Sequence, residues 1–366
     1  MKNRERRAVP FAALIAAALL PWRSAIAEEQ SLTVVSWGGS YARACVKGYH
    51  ERFTAETGIA INLEDYNGGL AQIRAQVDVG NVYWDVVDLE IPDLVRGCDE
   101  GLLEVVEIDS LPAGADGTPA AEDFVEGTVT DCGPATIFYS TVYAYNEKNI
   151  AGEKPATMAD FFDLEKFPGR RGMRRSPLVN LEFALIADGV PLDEVYATLD
   201  TPGGVDRAFR KLDTIKEHIV WWEAGAQPPQ MLADGEVVMS TAYNGRIFNA
   251  QVLEDQPFVI VWDGQVLDTG GLAVVAGTPR LEAAMKFVAF ASTARSSADV
   301  GRYIAYSPTR RSAMPLISTH AEKGVDMNPH MPTSERNSKR ALHNDWEWWS
   351  DHGDEMNERF STWLAR

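Results

Sequence analysis

"TVVSWGGSYARACVKGYHERFTAETGIAINLEDYN", residues 33–67, decides the architecture. The apolar run Thr33–Ser36 reads as a short buried strand that stops at Trp37 and two glycines. From Ala42 to Thr57 the residues Val46, Tyr49 and Phe53 recur at helical spacing, and Gly58 ends the pattern. Ile59–Leu63 is again a strand. Gly68-Gly69 opens a second helix to about Val79, and Asp85–Leu89 is a third strand. Strands alternating with helices predict an α/β fold with a mainly parallel, doubly wound sheet.

The chain before this unit reads as a secretion leader. Lys2, Arg4, Arg6 and Arg7 precede an apolar run, Ala8 to Leu20, and Ala25-Ile26-Ala27 fits a small-x-small cleavage site. The run is shorter than the roughly 20 residues that span a bilayer. Export to the periplasm with cleavage after Ala27 is the expectation; Arg6-Arg7 leaves the Sec and twin-arginine routes open. Losing residues 1–27 removes five positive charges and one negative, so the formal charge goes from −19 to about −23. Such an acid chain lacks the basic patches that nucleic acid or an anionic membrane would need. Of the three cysteines, Cys98 and Cys132 both precede turn-like stretches and are the expected disulfide, with Cys45 left over; spacing alone does not fix the pairing.

Farther along, "ATIFYSTVYAY" (135–145) has the composition of a strand crossing between domains. "FPGRRGMRR" (167–175) is a turn leading into a short strand, and Glu236–Thr241 is another strand. Val259–Trp262 and Leu272–Val275 read as two more strands with a turn-rich "DGQVLDTGG" between them. Helices are expected at Val205–Lys216, Arg280–Ser292, Arg295–Ile304 and Asp345–Leu364. The chain thus leaves one α/β lobe, builds a second and returns. Lobe 1 is expected at 28–143 and 263–310, and lobe 2 at 144–262 and 311–366, with hinges near 143–146 and 262–266. A cleft between such lobes suits ligand capture by closure.

Ligands of parallel α/β sheets sit outside the carboxyl ends of the strands. That rule selects Trp37 with Tyr41 after the first strand, and Asp88 and Glu90 at the exit of the third. It adds Trp222 and Glu223 after "HIV", Tyr243 after "VVMST", Asp268 in the return segment and Tyr306 in "AYSP". Ring faces attract a cation by roughly 0.5–2 kcal/mol. Charge-assisted hydrogen bonds to a carboxylate add about 1.5–3 kcal/mol each. The set therefore predicts a small organic cation as ligand.

The pieces "FTAETGIAINLEDYN", "YWDVVDLEIPDLV", "ADGEVVMSTAYNGRIFNA", "LDTGGLAVVAGTP" and "FVAFASTARSSADVGRYIAYSPTRRSA", in this order, resemble the periplasmic binding proteins of ABC importers. Within them, the chain resembles the spermidine/putrescine-binding group. The resemblance implies a two-lobed Venus-flytrap fold, a monomer, no cofactor and an inner-membrane permease as partner. It implies ligand contacts at Glu90, Tyr243 and Tyr306. Two departures matter. The return segment has Asp268 and Gly270 where that group carries a tryptophan and then an aspartate. The second-lobe strand with acidic contacts in that group reads "GMRRSP" here. Arg174 or Arg175 in the cleft would grip a carboxylate in bidentate fashion, which makes a zwitterion such as γ-aminobutyrate the alternative ligand.

Two other classes fit less well. A hydrolase would show a nucleophile elbow or metal-ligand spacing, and neither G-x-S-x-G nor H-E-x-x-H occurs; the six histidines are scattered. A ferric-ion site could use Tyr303 and Tyr306, but the wealth of tryptophan suits an organic ligand better.

Overall fold

The computed structural model describes residues 31–366; the leader and its cleavage site lie outside them. The leading strand β1 (Ser31–Ser36) pairs in parallel with β2 (Ala60–Asp65) and with β3 (Val86–Glu90). Its alternate residues Leu32 and Val34 are wholly buried against the helix that follows, each side chain stabilising the fold by about 1.5–3 kcal/mol. That helix covers 39–57 with a π-helical turn at Val46–His50, and Gly58 ends it in the left-handed conformation.

The sheet continues through β4 (Val129–Thr130), β5 (Gly133–Asn146), β6 (Arg171–Arg174), β7 (Ile219–Trp222), β8 (Met239–Tyr243), β9 (Phe258–Val274), β10 (Ser307–Pro308) and β11 (Leu342–His343). Its main order is β2-β1-β3-β9-β5-β8-β6-β7. Parallel triplets stand at both ends, and the two long strands between them are antiparallel to each other and to their neighbours β3 and β8. The fold is two-lobed α/β with a mixed sheet, and β5 and β9 run through both lobes.

Strand β9 corrects one expectation. The turn-rich 263–271 is not a turn between two strands; it lies within one strand of 17 residues. The turn signals have another cause. Pairing jumps from Thr141↔Val266 to Tyr143↔Val261, so 262–265 bulge out of the ladder, with Gly264 at φ 70°. Gly271 serves close packing, since a Cβ there would lie 2.8 Å from the Pro134 carbonyl oxygen.

The stretch after 310 also differs from the expected grouping. Ala313, Ile317, Met327 and Met331 pack with Ala294, Ala298 and Ala305, segments expected in lobe 1. Leu342 of β11 and the C-terminal helix Trp346–Leu364 join the large second-lobe core, the helix through Trp348, Trp349, Met356, Phe360 and Trp363.

Cys98 and Cys132 form a disulfide closing a 34-residue separation, while Cys45 is buried and free. Chain-entropy arithmetic for a loop of that length gives about 3–4 kcal/mol. The double variant Cys98→Ser/Cys132→Ser is expected to lose that much in urea unfolding, with the slope against urea serving as the check on denatured-state changes.

Candidate functional site

Two oppositely directed pairs of strands bring side chains to the same place through their carboxyl ends, β1 and β3 from one side and β6 and β8 from the other. Trp37 follows β1, and Glu90, Arg174 and Tyr243 are the last residues of β3, β6 and β8. Two tight elbows set the positions. Glu90 is extended (φ −66°, ψ 145°) and leads straight into the helix Ile91–Asp99, with Pro92 in its first turn. Tyr243 (φ −76°, ψ 129°) leads in the same way into the helix Asn244–Leu253. Asn244 pins that second elbow: its Oδ1 accepts from the Ser140 amide at 2.9 Å, and its Nδ2 donates to the Ala305 carbonyl at 2.6 Å.

The glycines after Trp37 serve this junction. Gly39 has φ 56°, and a Cβ on it would collide with the Arg246 guanidinium. Arg246 donates from Nη1 to the Gly38 carbonyl at 2.7 Å and from Nη2 to the Trp37 carbonyl at 2.9 Å. Its buried Nε has no hydrogen-bond partner among the described residues.

Of the expected residues, Trp37, Tyr41, Asp88, Glu90, Tyr243 and Tyr306 line one inner cavity. Tyr139, Ile137, Gly270 and Arg246, none of them expected, line it too. Tyr139 packs edge-on to Tyr243 with ring centroids 5.4 Å apart, and Tyr306 stands 5.7 Å from Tyr41. Arg174 closes the assembly. Its guanidinium donates to Glu90 Oε1 at 2.7 Å and lies about 6 Å from the rings of Trp37 and Tyr243. Outside this ion pair a wider groove runs between the Gly68-Gly69 loop, Pro177 and the C-terminal helix. Its free volume is about 380 Å³ against about 30 Å³ within.

Four expected residues lie elsewhere. Arg175 points into the outer groove and pairs with Glu223 at 3.2 Å, both half exposed. Arg174, the last residue of β6, reaches Glu90, whereas Arg175 just past the strand end turns to Glu223. Trp222 is fully buried behind Tyr243, centroids 5.6 Å apart, because the edge strand β7 turns it into the core. Its neighbour Trp221 packs on Phe360 and Trp363 of the C-terminal helix. Asp268 sits one layer behind the cavity, separated from it by Tyr139. The sequence did carry signals for the missed residues. Tyr139 shares a strand face with Ile137, and Arg246 lies three residues beyond Tyr243 on a helix, hence on the same side.

Both signs of charge meet here. Burial pushes the Asp88 carboxyl up to about 7, opposed by hydrogen bonds from Tyr41, Trp37 and Ser36 and by the Arg246 charge. Burial likewise pushes the Tyr306 phenol up to about 12 against the pull of Arg246. Two carboxyls and the Arg246 guanidinium therefore border one aromatic-walled space, and the Arg174 guanidinium, paired to Glu90, stands between it and the outer groove. That arrangement suits a solute carrying an anion and a cation. Tyr303, the other half of the considered iron pair, does not line the cavity. Among the described residues no group of three or more His, Cys, Asp or Glu is placed to hold a metal.

Residues 48–333 match the bacterial extracellular solute-binding protein family. The chain belongs to that family, whose members bind solutes and do not catalyse reactions. It is 44% identical over 343 residues to the gamma-aminobutyric acid-binding protein of Pseudomonas aeruginosa, covering 94% of this chain and 93% of the relative. Among solved structures it is similar to MotA from A. tumefaciens B6 in complex with glucopine (30% identity, TM-score 0.83, 92% of this chain and 100% of that one). It is also similar to the Atu4243–GABA receptor (30% identity, TM-score 0.77, 92% and 98%). The spermidine/putrescine-binding protein PotD from Streptococcus pneumoniae is 16% identical with TM-score 0.65, which shows the fold alone.

Proposed function

We propose that the protein captures a small zwitterion, γ-aminobutyrate or a close analogue, in the periplasm and delivers it as a monomer to an ABC permease of the inner membrane. The observation that carries this reading is Arg246 at the cavity that Asp88 and Glu90 also border, with Arg174 paired to Glu90 on its outer side. The carboxylate end would meet the free Nε of Arg246 and the Arg174 fork. The ammonium end would meet Glu90 and Asp88 among the tyrosine rings. The names of the Pseudomonas relative and of the Atu4243 structure support the same choice.

The polyamine-like ligand expected first gives way, because two guanidiniums beside the cavity would repel a second ammonium. Zwitterion contacts on both lobes would favour the closed form over the open one. We place the bending near 143–146 and 262–266, beside the register break that runs from Thr141 to Tyr143 in β5 and across 262–265 in β9. Calorimetric titration of the leaderless protein with γ-aminobutyrate, putrescine and spermidine tests the reading. Saturable heat with γ-aminobutyrate and none with the two polyamines is expected; the reverse pattern would overturn it.

A further inference from the structure

Behind the cavity wall a buried polar chain runs from Glu90 into the second lobe. Tyr139 Oη lies 3.4 Å from Glu90 Oε1 and 3.3 Å from Asp268 Oδ2. Asn344 Nδ2 donates to Asp268 Oδ2 at 2.6 Å, and the Thr269 amide donates to Oδ1 at 2.7 Å. Beyond Asn344, Tyr196 Oη lies 3.2 Å from Asn344 Oδ1 and 3.1 Å from Glu182 Oε1, which also accepts from Trp349 Nε1 at 2.6 Å.

Counting protons in this chain exposes a shortage. Each tyrosine has one hydroxyl proton, yet each hydroxyl sits between two groups that, if the acids are ionised, only accept. Tyr139 cannot donate to Glu90 and Asp268 together. Glu90 already accepts the Arg174 guanidinium at 2.7 Å. Asp268 is the better home for an extra proton, since it is 5% exposed and no arginine or lysine pairs with it among the described residues. The same count applies at Tyr196 and Glu182, whose Oε2 is buried without a partner, a lighter cost on a neutral acid than on an anion.

We propose that Asp268 is a positioning residue that holds a proton: as a neutral acid it donates to Tyr139, whose own proton is then committed to Glu90, the carboxylate that faces the ligand's ammonium. Glu90 adds negative charge through Tyr139, Glu182 and Tyr196 lie farther along the chain, and Glu126 and His343 stand on the groove that Asp268 also lines. Burial first and the Glu90 charge second raise the Asp268 carboxyl to about 7. An ammonium arriving at Glu90 adds positive charge nearby and favours ionised Asp268, so binding near pH 7 releases a fraction of a proton through that groove. This last step rests on the zwitterion reading above; the protonation of Asp268 does not.

Two measurements on the leaderless protein test the proposal. Infrared spectra without ligand are expected to show a carboxylic-acid C=O band that fades as pH rises through about 7 and is weaker in Asp268→Asn. Because Asp88 and Glu182 are also raised to about 7, the difference between wild type and variant is the readout. Calorimetry with γ-aminobutyrate at pH 7, in buffers of unlike protonation heat, is expected to show proton release that shrinks in the variant. Should Asp268→Asn not fold, Asp268→Ser carries the same comparisons. Identical infrared titrations in wild type and variant would overturn the proposal, because Asp268 would then be ionised throughout. Absence of γ-aminobutyrate binding would overturn the ligand reading and leave the infrared result to decide the proton.

Discussion

Arg174→Ala is expected to weaken γ-aminobutyrate binding by about a hundredfold, equivalent to about 2.7 kcal/mol. The change deletes a charge-assisted contact of about 1.5–3 kcal/mol to the ligand carboxylate and leaves Glu90, which is largely buried, without its guanidinium. The sign is as informative as the size. For a zwitterion the affinity falls. For putrescine, removal of a like charge beside a freed carboxylate would make the affinity rise. Titrating both ligands against wild type and variant therefore separates the two ligand classes in one experiment. Gain of putrescine binding with no loss for γ-aminobutyrate would count against Arg174 as a carboxylate grip.

Arg246→Ala is expected to abolish measurable γ-aminobutyrate binding and to lower stability as well. Arg246 is 4% exposed, and its two Nη atoms are the donors to the Trp37 and Gly38 carbonyls. An orphaned buried acceptor costs about 1–3 kcal/mol, so two of them make the fold loss visible as a lower Tm. Arg246→Lys keeps a charge but not the planar fork. It is expected to recover part of the stability and little of the affinity. Thermal unfolding alongside calorimetry reads both quantities. An alanine variant that binds normally would show that the free Nε plays no part in the ligand contact.

Much of the fold and of the site is legible in the residues themselves. The strand–helix–strand start is local: Leu32, Val34, Tyr49 and Phe53 obey their periods because each element buries one face. The strand-exit rule reached Trp37, Glu90 and Tyr243 because each parallel triplet ends its strands at the shared cleft, β1 and β3 from one side and β8 from the other. Strand β9 escaped because Asp263, Gly264 and Gly270 carry the same signature whether they turn a chain or bulge it. Arg174 and Arg175 could not be told apart until strand pairing fixed which one faces in. Trp222 misled because its strand exit belongs to an edge, where inward means into the core. Asp268 came from the same strand-exit reading of the return segment, and its pairing opposite Tyr139 in β5 sets it behind that ring.

The two through-running strands have a last consequence. Neither half of the molecule owns a complete sheet, for Tyr145 and Ala135 belong to one unbroken backbone, as do Phe258 and Gly271. Cutting the chain at the waist would strip each fragment of its innermost ladder, so the halves are not expected to survive apart. Melting is then a single cooperative event, and a solute that bridges the halves raises the melting point of the whole.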